Sequence, residues 1–222
     1  MTFRWYNGLL ICLLVWALVA SASAHDYWLR PDKGGARVVY GHAAQSEPYN
    51  KSVLKVFQAV GERGELKGKP SFQDGTFFLK LPAARAYLAR VDDGPWAKTT
   101  RGWKRGSRSR HKGVLRVTQE LFYAKLIRGT DRAYGLPLEI VLVSEPSEKV
   151  LRGKVLFKGK PARNVPIEIE HKAVARTGTD GTFEMKSRDD DPLILRASYK
   201  EVFENNPEID SASHVCTLTV QP

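Results

Sequence analysis

Cysteine is nearly absent. The 222 residues contain two, Cys12 and Cys216. Cys12 lies in the amino-terminal apolar segment, which leaves Cys216 alone in the rest of the chain and excludes an internal disulfide framework. The pattern Val215-Cys216-Thr217-Leu218-Thr219-Val220 makes it a small residue of a buried strand. Long apolar runs are also missing, since the stretch from Leu9 to Ala20 is shorter than the roughly 20 residues that cross a bilayer. There is no Gly-x-Ser-x-Gly elbow and no zinc-protease helix, so the common hydrolase readings lose their support. No nucleotide-binding glycine motif, heptad or low-complexity tract occurs, and Asp189-Asp190-Asp191 lacks the alternating ligands and glycine of an EF-hand. These absences point away from an enzyme.

What is present begins with a secretory leader. Arg4, the apolar run and the small residues Ala22 and Ala24 match the charged, apolar and cleavage regions of a signal peptide. Cleavage after Ala24 makes 1–24 the leader and His25 the first residue of an exported, periplasmic chain. A first-residue histidine carries an α-amine and an imidazole together, so one residue can chelate a metal through two nitrogens. Charge is strongly basic, with 35 Lys and Arg against 24 Asp and Glu for a net +11. Export argues against nucleic acid as the partner. The densest basic cluster, 98–112, holds Arg101, Lys104, Arg105, Arg108 and Arg110. It reads as a solvated, mobile loop, with contact to a membrane surface or anionic polymer as the functional alternative.

From His25 onward the pattern favours strands. His25, Tyr27 and Leu29 share one strand face, Pro31 to Gly35 carry turn chemistry, and Ala36 to Gly41 return as a β-branched and aromatic run. A loop of Asp32 to Gly35 pairs Leu29 with Val38, Tyr27 with Tyr40 and His25 with His42. Directly opposed residues have Cβ atoms ~4.5–5.5 Å apart, close enough for two imidazoles to share an ion. A one-residue slip would separate them. Val53 to Val60 is ambiguous between strand and helix, and Val114 to Ile127 reads as a strand. After a link at Ser144-Glu145-Pro146-Ser147, short strands and turns recur in a sandwich pattern. The fold class is therefore all-β, with two β-sandwich-like domains, 25–145 and 146–222, behind the leader.

Several segments carry a resemblance: His25-Asp26-Tyr27-Trp28, Tyr40-Gly41-His42 with Glu47-Pro48-Tyr49, Gly102-Trp103-Lys104, Tyr123-Ala124-Lys125, Leu138-Glu139-Ile140-Val141 and Cys216-Thr217-Leu218-Thr219-Val220. In this order they resemble periplasmic proteins associated with nickel and cobalt uptake, the NikM-like family, also labelled as a domain of unknown function. Through Gly153-Lys154-Val155 with Gly159-Lys160-Pro161 and Thr179-Asp180-Gly181-Thr182-Phe183, the second half resembles a carboxypeptidase-regulatory or prealbumin-like sandwich. The resemblance implies capture of nickel or cobalt for an inner-membrane transporter. Ligand type alone admits copper and zinc equally. The candidate ligands are His25, His42 and His214, with Asp26 and Glu47 as carboxylate ligands or as groups that orient an imidazole. His111 and His171 fall in polar loops and read as solvent-exposed. Two alternatives stand beside metal capture: a metal-free adhesion or scaffold module, and a copper oxidase built on a histidine brace.

Overall fold

The computed structural model describes residues 25–42, 45–144, 149–187 and 192–221. The expected leader, the residues 145–148 of the link and the Asp189–Asp191 run lie outside them. The first half forms β1 (Asp26–Asp32), β2 (Gly35–His42), β3 (Gln45–Ser46), β4 (Leu54–Gly61), β5 (Gly64–Leu66), β6 (Ser71–Gln73), β7 (Thr76–Lys80), β8 (Ala86–Thr99), β9 (Gly102–Arg105) and β10 (Val114–Arg128). The second half forms β11 (Leu138–Leu142), β12 (Val150–Phe157), β13 (Lys160–Pro161), β14 (Pro166–Ile169), β15 (Lys172–Arg176), β16 (Thr182–Lys186), β17 (Leu193–Val202) and β18 (Ser211–Gln221). The all-β sandwich-like class holds. The ambiguous 53–60 segment is strand β4, and 114–127 is strand β10.

Three sheets stack as layers. A nine-stranded sheet in the order β15-β14-β17-β18-β10-β8-β4-β5, with β9 on β8, forms the middle. The alternation of its strands explains why both faces are covered. Phe122, Ala124 and Leu126 of β10, with Tyr87, Ala89 and Val91 of β8, pack against Tyr27, Leu29, Val38 and Leu79 of the β1-β2-β7-β6 sheet. Tyr123 and Ile127, with Cys216, Leu218 and Val220 of β18, pack against Leu138, Ile140, Leu151 and Val155 of the β11–β12 layer. A strand covered on both faces buries consecutive residues, and β18 accordingly buries Cys216, Thr217, Leu218 and Thr219 in a row.

β10 and β18 pair in parallel, from Thr118 with Ser211 to Arg128 with Gln221. Strands on either side of the expected boundary at residue 145 thus belong to one sheet. β11 is apolar apart from Glu139, and that residue anchors a buried charge cluster. Lys125 Nζ donates to Asp131 Oδ2 at 2.9 Å and to Glu139 Oε1 at 3.1 Å, with all three side chains at most 2 % exposed. Glu139 also accepts from the backbone N–H groups of Tyr134, Gly135 and Leu136. The cluster pins the crossing from β10 to β11.

The β1–β2 turn is tighter than the four-residue loop expected. Asp32 pairs with Gly35, leaving Lys33 and Gly34 in the turn, with Gly34 at φ +71. The register is unchanged by this, because shortening the loop by one residue on each side keeps the same partners opposite. Gly35 has a separate reason to be glycine: a Cβ there would lie 2.2 Å from the Leu79 carbonyl oxygen of the neighbouring strand β7.

The basic stretch departs from its reading as a mobile loop. It is the hairpin of β8 and β9 followed by a single 3-10 turn at Arg108–Arg110. Arg105 pairs with Asp93, and Nη2 of Arg108 donates to both carboxylate oxygens of Asp210 at 2.6 Å. Gly106 N–H donates to Pro95 O at 2.7 Å, closing the hairpin.

Candidate functional site

The open end of the β1–β2 hairpin gathers the candidate ligands. Tyr27 opposes Tyr40 and Asp26 opposes Gly41, the last pair of the ladder, and His25 and His42 are the next residue on each side of it. Their rings lie 4.5 Å apart, centre to centre, at a 40° tilt. Beneath them Tyr40 stacks on His25 at 5.2 Å, Tyr27 meets Tyr40 at 4.5 Å, and Phe122 of β10 meets Tyr27 at 5.0 Å. This aromatic column runs from the histidines into the core and fixes the face on which the imidazoles stand. Burial pushes the Tyr40 phenol upward, with the negative fields of Asp93 and Glu47 adding to the rise.

Glu47 is brought to the site by the chain after β3, where its N–H donates to Tyr40 O at 2.8 Å. Its Oε1 lies 2.8 Å from Nε2 of His25. That contact occupies one ring nitrogen and leaves Nδ1, the nitrogen on the side of the His25 backbone. Glu47 thus orients an imidazole in this structure.

Asp26 plays a different part. Its carboxylate accepts from Nε of Arg196 at 3.1 and 2.9 Å, and Arg196 in turn pairs with Glu168 of β14. Burial raises the Asp26 carboxyl and the Arg196 charge opposes that rise. Burial likewise pulls on the guanidinium, but Asp26 and Glu168 more than offset it and hold the Arg196 pKa high. The ion pair and the hydrogen bond from Thr217 Oγ1 to Tyr27 O, 2.9 Å, fasten β1 across the central sheet.

His214 does not join this cluster. It is 3 % exposed and faces the β11–β12 layer, with Nδ1 3.0 Å from Tyr123 Oη and Nε2 3.1 Å from Glu201 Oε2. Both ring nitrogens are engaged, and burial lowers its pKa, with the Glu201 carboxylate opposing. It reads as a satisfied core histidine.

His171, read from sequence as a solvent-exposed turn residue, is exposed but not remote from the site. It occupies the β14–β15 turn, yet its Nε2 is 3.6 Å from Asp26 Oδ2 and its ring is 6.3 Å from that of His42. The one local signal was the turn itself, where Glu170-His171 stands in place of the usual Asn-Gly. Among the described residues, no three His, Cys, Asp or Glu side chains are already gathered as a metal-holding group.

The family model described as Domain of unknown function (DUF4198) matches residues 22–199. The chain belongs to this family. No curated protein matches it. The span matched by the DUF4198 model contains His25, Asp26, His42, Glu47, His171 and Arg196, and ends within β17 before His214 and β18.

Proposed function

We propose that the protein is an exported carrier that captures a divalent transition metal at the open end of the β1–β2 hairpin and presents it to an inner-membrane uptake system. The observation that carries this reading is the approach of the His25 and His42 rings to 4.5 Å just past the Asp26–Gly41 pair. The donor set suits the cargo: neutral imidazole nitrogens bind nickel, cobalt, copper and zinc. Glu47 on Nε2 of His25 leaves Nδ1 for the ion, and removal of the leader would place a free α-amine on the same residue. The amine supplies the further donor that the described side chains do not gather. Nickel or cobalt as the cargo rests on the resemblance to NikM-like uptake proteins.

Calorimetric titration of the protein beginning at His25 with Ni2+, Co2+, Cu2+ and Zn2+ tests the reading. Tight binding that is lost in His42→Ala is expected. Absence of binding in the parent protein overturns metal capture. Undiminished binding when one residue precedes His25 overturns the role of the amine.

A second reading concerns the membrane and rests on the β8–β9–β10 extension. Trp103 opposes Lys98, and Lys98 opposes Arg116, so the three form one row across the sheet. Lys98 and Arg116 lie 5.6 and 5.1 Å from the centre of the Trp103 ring, which is 47 % exposed. An amphipathic ring flanked by cations suits an anionic lipid surface. Binding to phosphatidylglycerol vesicles and not to phosphatidylcholine vesicles is the expected result, and equal binding to both defeats this reading.

A further inference from the structure

The β14–β15 turn is an unusual place to find these two residues. Ile169 and Lys172 close a two-residue hairpin whose central positions, Glu170 and His171, both have positive φ, +49 and +62. Such turns favour Asn-Gly, because a left-handed conformation costs other L residues about 1–2 kcal/mol each. Neither Glu nor His relieves that strain, and the site it builds is the one place where the second half reaches the β1–β2 hairpin with an imidazole. Strain held at a defined place points to a function for the residue placed there.

We propose that His171 is a ligand of the captured ion, so that the ion is held jointly by the β1–β2 hairpin and the β14–β15 turn. The inference rests on the metal-capture reading above. Rings bound to one ion through nitrogens at ~2.1 Å have centres no more than roughly 6.5 Å apart. The His25–His42 and His42–His171 separations, 4.5 and 6.3 Å, both meet that limit. The protonation and orientation logic also matches. Metal-bound imidazoles characteristically turn their other nitrogen toward a carboxylate. His25 does so toward Glu47, and His171 has Nε2 facing Asp26, which Arg196 holds in place. Nδ1 of each ring is then the nitrogen offered to the ion. The His171 side chain is 36 % exposed and on a turn, so its ring can swing inward on capture without disturbing the core.

The test uses the full chain beginning at His25. Pulsed electron paramagnetic resonance with bound Cu2+ counts coordinated imidazoles, and calorimetry with Ni2+ reads affinity. Three imidazoles are expected in the parent protein and two in His171→Ala, with Ni2+ affinity falling at least about tenfold. The double variant Glu170→Asn with His171→Gly separates ligation from structure. It relieves the turn, so the metal-free protein should melt at a higher temperature while losing the third imidazole. If His171 merely braces Asp26, the same variant would melt lower and keep its imidazole count, and the proposal fails. An unchanged count and affinity in His171→Ala also overturns it while leaving capture by His25 and His42 intact. A parent protein that binds neither ion overturns metal capture and this inference together.

Discussion

Glu120 lies on β10 near the pinned end of β1, where burial pushes its carboxyl up to about 7, against a hydrogen bond from Ser213 and with the field of Asp93 adding to the rise. A carboxyl raised in the folded state contributes stability that is full below its unfolded value and lost as pH rises through the folded one. Glu120→Gln should therefore stabilise the protein at about pH 8, by roughly 1–2 kcal/mol after allowing for partial exposure, and change little at about pH 5. Urea unfolding at the two pH values measures it; equal effects at both would show that Glu120 is not held protonated. Single residues were unevenly legible from sequence. The approach of His25 and His42 follows from alternation together with the count of residues across the turn. His214 looks the same in sequence as a strand-end ligand, and only the flanking strands of its own sheet, β17 and β10, which bring Glu201 and Tyr123 to its two nitrogens, reveal a core residue. His171 was hidden because its neighbours in space come from the far end of the chain.

Hairpins are local, so their strands and turns carry their own signals. The β1–β2 pairing could be counted from its turn, and Asp74-Gly75 marks the β6–β7 turn with positive φ at both residues. The basic stretch is not the mobile loop its charge suggests, because partners remote in sequence fix it. No acidic residue lies between Gly94 and Gln119, and the partners that fix Arg105 and Arg108, Asp93 and Asp210, lie outside that interval. With those two arginines paired, the Trp103, Lys98 and Arg116 row is left as the outward face of the extension. Its contribution to lipid binding is expected to be strongly salt-dependent, because surface charges act over about 10 Å at ordinary ionic strength. In vesicle cosedimentation, Trp103→Ala and the pair Lys98→Ala with Arg116→Ala should each weaken binding severalfold. Full retention by both variants would remove this face as the contact.

Across the whole molecule, the feature that sequence could not supply is the parallel pairing of β10 with β18. Parallel neighbours are joined by no turn, and nothing in either segment names the other. Two sandwich patterns were visible, but the sheet common to both was not. That shared sheet predicts one cooperative unfolding transition, since opening either outer layer exposes a face of the same nine strands. Scanning calorimetry should show a single endotherm whose calorimetric and van't Hoff enthalpies agree; two resolved endotherms would show that the halves melt independently.

The position of β18 bears on how the chain is made. This strand follows every other in the described sequence yet sits between β10 and β17, near the centre of the middle sheet. Until it emerges, β10 has one bare edge and β17 another, and neither core can close. Strand pairing between distant segments is slow. Both cores therefore wait on one strand, and pairing β18 into its gap is expected to be the step that closes them together.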